Sequence, residues 1–490
     1  MAISTGIENL TPSSSKGSLF QGNYITDFDF TKQFLPDVYE KEAEIYGNRS
    51  ISSFLRMVSA EMPSTSDEIR WIEQGRLHTR YDNVAIGTAS GTGESIFTVT
   101  FAAKPDGTAY AAGDAPVVRA GQTIMVQGLT SGGLATGPVV KGVVTVAGAA
   151  AAGDTGTFTA VAYTAADWTG VTGAASYAKA NVLVYGSEFA KGTDGMVGSL
   201  DSDYSSYTNK PIILKDNYAI NGSDTAQIGW IEVTSENGAS GYLWYLKSEH
   251  ETRLRFEDYL EMSMVESVKK TGTAGTAAAN YTGSEGFFAA LEARGNVYDG
   301  LSSDLTTGGT GSTPSFAGFD NILKQLDKNG AIEENMIYSN RALSLAIDDV
   351  LASKNSYGAG GTSYGVFNNS EDMALNLGFS GFRRGAYDFY KTDWKYLNDF
   401  ATRGGFGDVE GTIIPAGTST VYDQDLGKNI KRPFLHVRYR SSETDDRKMK
   451  TWITGSVGGA YTSSLDEMRV NFLSERCLIT QGANNFFLLK

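Results

Sequence analysis

Residues 240–270, SGYLWYLKSEHETRLRFEDYLEMSMVESVKK, predict one long helix. No Pro or Gly falls between Tyr242 and Lys270, and Leu243, Leu246, Leu254, Leu260, Met264 and Val268 recur on one broad face at helical spacing. Such a helix would reach ~45 Å. Charge enters the same element: Glu249, Arg253 and Glu257 follow one another at i,i+4, and Glu251 stands in the same relation to Arg255. Each exposed pair adds only about 0.2–0.5 kcal/mol. The helix is therefore either a solvated element lying on one domain or a strut with its own domain on one side and neighbouring subunits on the other. Under the second reading Glu249, Arg253, Arg255 and Glu257 are the candidate inter-subunit contacts.

Length and composition bound the class. With 490 residues, 41% hydrophobic and 11% aromatic, the chain suits roughly two to four domains with real cores and is unlike a disordered chain. It has no long uncharged apolar run, and the start MAISTGIENLTPSSSKG lacks both a basic n-region and an apolar h-region. A soluble chain without signal peptide or membrane span is expected. Its one cysteine, Cys477, excludes an internal disulfide and a multi-cysteine zinc site, and within ERCLIT it reads as a buried structural thiol. A formal charge of −15 and a pI near 4.8 argue against a shell of Lys and Arg gripping phosphates.

Taken in order, residues 1–23 read as a polar arm, followed by short helices at DVYEKEAEIYG and ISSFLRMVSAEM. A change of composition follows residues 66–83. Between Val84 and Ala180 only nine of 97 residues are charged, and short alternating runs such as SIFTVTF, TIMVQG and TFTAVAY recur between Gly-containing turns. Phe97, Val99 and Phe101 point one way, and the region predicts an inserted small β-barrel or sandwich. PIILKDNYAI and AQIGWIEV predict a long hairpin turned by NGSD. Residues 271–316 read as Gly-rich loops or a flexible crossover. Two helices then carry Phe319, Ile322, Leu323 and Leu326, and Leu343, Ala346, Ile347 and Val350. Gly330 would end the first, MIYSN would be a strand, and Ser339 or Asn340 would cap the second. The last hundred residues turn to strands, among them GTIIPAGTSTVYD, RPFLHVRYR, KMKTWITGS and MRVNFLSERCLIT, with NNFFLLK docked at the end.

Chemical motifs are scarce. His78, His250 and His436 have no metal-ligand spacing, and HETRLR lacks the second His of a helical zinc site. GxxxxGK[ST] does not occur, and GxSxG occurs once, as GTSYG at 361–365, within a Gly- and Ser-rich stretch that has no strand-like run before it as a hydrolase elbow needs. DSDYSSYTNKPI imitates the opening of a calcium loop at Asp201, Asp203 and Ser205 but lacks its sixth-position Gly and twelfth-position Glu. No catalytic residue, metal or cofactor is expected.

The order of pieces, a polar arm, a hairpin, a long charged helix, a Gly-rich crossover, an α/β unit and terminal strands, resembles the major capsid proteins of tailed bacteriophages. The phrases EIRWIEQGRL, GSEFAKGTDG, GYLWYLKSE, FYKTDWKYLND and LSERCLITQGANNFF resemble those of podovirus-like phages, with the crAss-like group a candidate branch. The resemblance implies an α+β, HK97-type capsid fold with an inserted all-β domain. It divides the chain into an N-terminal arm (1–60), an extended loop (61–83 and 186–239), the inserted domain (84–185), a spine helix and peripheral domain (240–316), an axial domain (317–400) and return strands (401–490). It implies a non-enzymatic shell protein of the virion, partnered by copies of itself in hexamers and pentamers. Portal, scaffold and head-decoration proteins are further candidates, and packaged double-stranded DNA would be met only non-specifically. The alternative is a glycan-binding structural protein using the insertion's aromatics Tyr163, Trp168 and Tyr185.

Overall fold

The computed structural model describes residues 51, 61–75, 78–87, 94–101, 115–130, 137–151, 155–164, 168, 171, 177–199, 204–225, 233–234, 240–241, 244–272, 281–307, 315–330, 332–354, 381–416, 418–423, 428–457 and 461–490. The arm and most of its two helices, the acidic residues Asp201 and Asp203, and most of AQIGWIEV lie outside these, and Glu61 and Met62, at the end of ISSFLRMVSAEM, are strand and not helix because they pair with Val437 and Arg438. Two compact units divide the chain: Arg70–Thr208, and Met1–Ile69 together with Asn209–Lys490.

After β1 (Glu61–Ser64), which belongs to the larger unit, come β2 (Ile69–Gln74), β3 (Arg80–Gly87), β4 (Glu94–Thr100), β5 (Gln122–Thr130), β6 (Val139–Ala150), β7 (Thr155–Ala162), β8 (Tyr177–Ser187) and β9 (Tyr204–Asn209). Strands β3 to β8 close into an antiparallel barrel in the order β3-β4-β7-β6-β5-β8, and β2 pairs with β9. Closure leaves no free edge. Strict alternation drives it, with Phe97 and Val99 inward from β4 and Phe158, Ala160 and Ala162 inward from β7. Phe97 stacks on Phe158 at 4.9 Å and meets Trp168 edge-on at 5.1 Å, and Trp168 Nε1 donates to the Ala160 carbonyl at 3.1 Å. Trp168, 1% exposed, is thus core and offers no ring to a glycan. A Cβ on Gly142 would lie 2.8 Å from the Trp168 ring, so the close packing needs glycine there.

The larger unit continues with β10 (Ile212–Asn221), the short helical turn α1 (Gly222–Thr225), the paired β11 (Val233–Thr234) and β12 (Ser240–Gly241), and the long helix α2 (Trp244–Glu266). Next are α3 (Phe287–Arg294), β13 (Asn296–Tyr298), α4 (Leu301–Thr307), α5 (Ala317–Asn329), β14 (Glu334–Ser339), α6 (Arg341–Lys354), β15 (Gly381–Arg384), β16 (Tyr387–Asp393) and α7 (Lys395–Asn398). The chain closes with β17 (Gly411–Pro415), β18 (Thr418–Asp423), β19 (Lys428–Pro433), β20 (Leu435–Arg440), β21 (Lys450–Gly455), β22 (Glu467–Thr480) and β23 (Phe487–Leu489).

A six-stranded sheet, β13-β23-β17-β14-β16-β15, has a different core on each face. Ile337, Ile413, Phe487 and Leu489 face α5 and α6, which contribute Phe319, Ile322 and Leu326, and Leu343, Ile347 and Val350. Tyr338, Ile414 and Leu488 face the opposite way, into a cluster with Phe287 and Leu291 of α3, Met264 and Val265 of α2, and Trp394. Burial on both faces explains why GTIIP is buried at every position and reads as a continuous apolar run. The second sheet runs β1-β20-β22-β10, with β21 also on β22. Asn340 Oδ1 accepts from the Leu343 amide at 2.8 Å and caps α6, and Gly330, at φ +143°, ends α5.

Several expectations are corrected. The helix is 23 residues, Trp244–Glu266, or ~35 Å, shorter than periodicity allowed. Beyond Glu266 the backbone leaves for partners elsewhere: Gly286 donates to the Ser267 carbonyl and Lys270 to the Thr282 carbonyl, while Lys269 bridges Gly283. Its buried stripe runs Thr252, Phe256, Leu260, Met264, whereas Leu254 is half-buried and Val268 is 66% exposed. The NGSD segment forms α1, and PIILKDNYAI pairs along ten residues with β22, Ile212 opposite Arg476 and Asn221 opposite Glu467. Residues 271–316 hold α3, β13 and α4, because FFAAL supplies four buried side chains. GTIIPAGTSTVYD is two strands in different sheets.

Candidate assembly surface

Helix α2 lies against β10 and β22. Phe256 and Leu260 pack on Val470 and Phe472, the Phe256 and Phe472 rings 5.9 Å apart. With the inner stripe committed, Arg253, Arg255 and Glu257 turn sideways and outward, while Lys247 and Glu261 are buried, Glu261 accepting from Trp394 Nε1 at 3.3 Å. Arg253 Nε meets Glu257 Oε1 at 3.4 Å, and the Arg253 side chain is 60% exposed. Arg255 turns to the sheet, Nε 3.6 Å from Asp216 Oδ2 on β10, and Nη2 donates to Thr252 Oγ1 at 3.3 Å. Glu251 lies 3.9 Å from the buried Lys247 ammonium, and Glu249 is half-buried. The structure therefore brings Arg253 and Glu257 together on the open side and commits Arg255 to the helix–sheet contact.

The C-terminal end of α2 anchors a loop that the sequence reading missed. Glu266 accepts from Tyr396 Oη at 2.6 Å and from Arg403 Nη1 at 3.0 Å. Burial, the hydrogen bond and the Glu266 charge all push the Tyr396 phenol upward. Arg403 also pairs with Asp408 at 2.7 Å, and its guanidinium sits over Phe288 at 5.6 Å and Phe406 at 5.9 Å. The loop thus held presents Phe400 and Phe406 to solvent, Phe406 at 79% exposure. A held, solvated aromatic marks an interaction surface more than a fold requirement. In FATRGGFGD neither residue belongs to any period, so only the Gly-rich context hinted at a presented side chain.

Across β1, β20 and β22 charges are paired internally. The buried Arg476 reaches Glu61 (3.3 Å), the Lys448 carbonyl (2.7 Å) and Ser474 Oγ (2.8 Å), and Lys448 also pairs with Glu61. Burial pushes the Arg476 guanidinium down and Glu61 opposes that. Glu475 receives Arg447 at 2.8 Å and Arg440 at 3.5 Å. Pairing of this kind in a buried strand penalises any register in which one partner is left alone.

Cys477, fully buried in β22, has its thiol pushed up to about 12 from an ordinary value of 9.0 by burial. The folded state holds this proton more tightly than the unfolded state. Its contribution to stability is complete below about pH 9 and is lost as pH rises toward 12. Native protein at pH 8 is expected to leave Cys477 unmodified by Ellman's reagent, with one thiol per chain appearing in guanidinium; full reaction without denaturant would contradict the burial.

Among the described residues no helix is long and apolar enough to cross a membrane, and no three His, Cys, Asp or Glu side chains are grouped to hold a metal.

No family model matches the chain, and no curated protein does. Solved structures do. The chain is similar to a chain of Microbacterium phage Oxtober96 (8% identity, 93% of this chain and 96% of that one, TM-score 0.37). It is similar also to the capsid of a native GTA particle (8% identity, 96% of each chain, TM-score 0.36). A third similarity is to the capsid of Cyanophage P-SCSP1u (12% identity, 63% of this chain and 80% of that one, TM-score 0.32). The structures to which this chain is similar thus include capsids, one from a phage and one from a GTA particle.

Proposed function

We propose that this chain is a major capsid protein of a tailed phage, a structural and non-enzymatic subunit that self-assembles into hexamers and pentamers of an icosahedral shell around double-stranded DNA. The observation that carries the reading is the seating of α2 on the β10–β22 ladder, beside a second sheet that the same terminal segment enters through β23. One end of the chain thereby ties a long strut to both layers, which suits a subunit loaded from its neighbours. In HK97-type terms α2 is the spine helix of a peripheral domain (240–316), and the sheet with α5 and α6 belongs to the axial domain (317–400) and return strands (401–490). Residues 1–60 are the arm, 61–83 with 186–239 the extended loop, and 84–185 the inserted domain. Arg253, Glu249 and Glu257, with Phe400 and Phe406, face neighbouring copies, and Arg255 supports them through Asp216. Scaffold, portal and decoration proteins are further partners, and the net charge of −15 keeps contact with packaged DNA weak.

Purified full-length chain is expected to form rings or closed particles by negative-stain electron microscopy after gel filtration, and to lose them at high salt as the exposed charge contacts are screened. A monomer at every salt and concentration, with and without a co-expressed scaffold, would overturn the reading. Phe406→Ser is expected to leave the melting temperature unchanged within the effect of about 0.5 kcal/mol typical of surface changes, while reducing assembly at least tenfold. Equal assembly of variant and parent would remove the loop from the interface.

A further inference from the structure

The barrel carries a constellation that the shell reading does not use. Its inward positions are filled by Ile124, Val126, Val182 and Val184, so the alternate residues of the same strands stand outside. Lys141 of β6 and Tyr163, just past β7, are adjacent, the Tyr163 amide donating to the Lys141 carbonyl at 2.9 Å. Lys141 Nζ lies 5.7 Å from the centre of the Tyr185 ring, on β8. Tyr163 Oη donates to Glu188, whose own amide is fixed on the Gly121 carbonyl at 2.8 Å. Tyr163 and Tyr185 remain 45% and 50% exposed. Two presented aromatic rings are therefore held beside a carboxylate and an ammonium, the carboxylate oriented by a phenol and the backbone behind it.

We propose that this outer face of the barrel binds a neutral glycan, with the rings of Tyr163 and Tyr185 under the C–H faces of pyranose units and Glu188 and Lys141 bonding their hydroxyls. Tyrosine suits the task because it offers a large apolar face with a polar tip, and a carboxylate accepts from hydroxyls while an ammonium donates to them. Charge selects a neutral ligand. Glu188 and Lys141 together leave the platform without net charge, so it has no excess cation to hold a sulfated or uronic-acid glycan, and the −15 of the chain opposes one further. Trp168, the remaining aromatic that the sequence suggested for this role, takes no part because it lies in the barrel core.

The test is affinity electrophoresis of the full-length chain through native gels containing soluble starch, dextran, galactomannan or hydroxyethyl cellulose, with heparin as the anionic control and a polysaccharide-free gel as mobility reference. Retardation is expected in at least one neutral gel. Tyr185→Ala and Tyr163→Ala are each expected to weaken it at least tenfold, and Glu188→Gln severalfold. Tyr204→Ala, an exposed tyrosine on β9, should leave it unchanged. Thermal melting of each variant keeps loss of fold separate from loss of binding; Tyr163→Phe, which retains the ring, should bind more tightly than Tyr163→Ala. No retardation in any neutral gel, retardation by heparin alone, or equal retardation of the parent and the Tyr163→Ala/Tyr185→Ala double variant would each overturn the proposal. So would a double variant that binds glycan as the parent does but no longer self-associates, since the face would then be a contact between copies.

Discussion

Phe319→Ala is expected to destabilise the larger unit by about 3–5 kcal/mol, the range for truncating a buried phenylalanine. The ring is fully buried on α5 and meets Phe382 edge-on at 5.3 Å and Phe389 at 5.6 Å. Those partners sit on β15 and β16, at one edge of the six-stranded sheet. Removing the ring therefore leaves a cavity and also releases the last two strands from the helix that covers them. Urea unfolding followed by circular dichroism would read the loss as a shift in midpoint at constant slope. A loss below about 1 kcal/mol would mean that the site collapses around the gap and that the aromatic cluster is not what holds the edge.

Asn209→Leu, nearly isosteric, should cost on the order of 3 kcal/mol or more, because it orphans several buried groups at once. Asn209 Nδ2 donates to the carbonyls of Glu285 (3.0 Å) and Leu478 (2.7 Å). Its Oδ1 accepts from the amides of Lys210 (2.9 Å) and Glu285 (2.8 Å) and from Ser284 Oγ (3.2 Å). One side chain thus joins the start of β10, the turn before α3 and the long strand β22. Asn209→Asp separates the roles of donor and acceptor. It keeps the acceptors, loses the donors and sets a carboxylate against two carbonyls, so its deficit should grow as pH rises from acid through neutrality and the group ionises. A deficit independent of pH would show that the carboxylate escapes to solvent, and full stability of Asn209→Leu would show that water replaces the amide.

Much of the larger unit was legible in short windows. Phe319, Ile322 and Leu326, and Leu343, Ile347 and Val350, fall on one face of any helix drawn through them, and those faces are the buried ones. Met468, Val470 and Phe472 occupy alternate positions and all three are buried, while Arg469 and Asn471 between them are not. The candidate surface was less legible. Arg253 and Glu257 were visible as an i,i+4 pair, but Phe400 and Phe406 owe their presentation to Arg403 and Glu266, which is 134 or more residues away from both in the chain. Tyr163 and Tyr185 were visible as aromatics, and no local feature distinguished them from the buried Trp168.

The sequence by itself determined the clear periods: that the segments around Phe319 and Leu343 are helices and which of their faces are apolar, that Met468–Phe472 is a strand, and that Val84–Ala180 carries short alternating strands. Periodicity depends on neighbours a few residues apart, so it needs no knowledge of the fold. The tertiary structure alone decided the partners. Ile212–Asn221 could have paired with any complementary strand, and it pairs with Glu467–Arg476 at the far end of the chain. Helix α2 could have run on to Lys270, yet it stops at Glu266, where the backbone of Ser267 and Lys270 bonds to residues 282–286 instead. In each case a long-range hydrogen bond or buried contact competed with a local preference of comparable size and prevailed through the burial it brought with it.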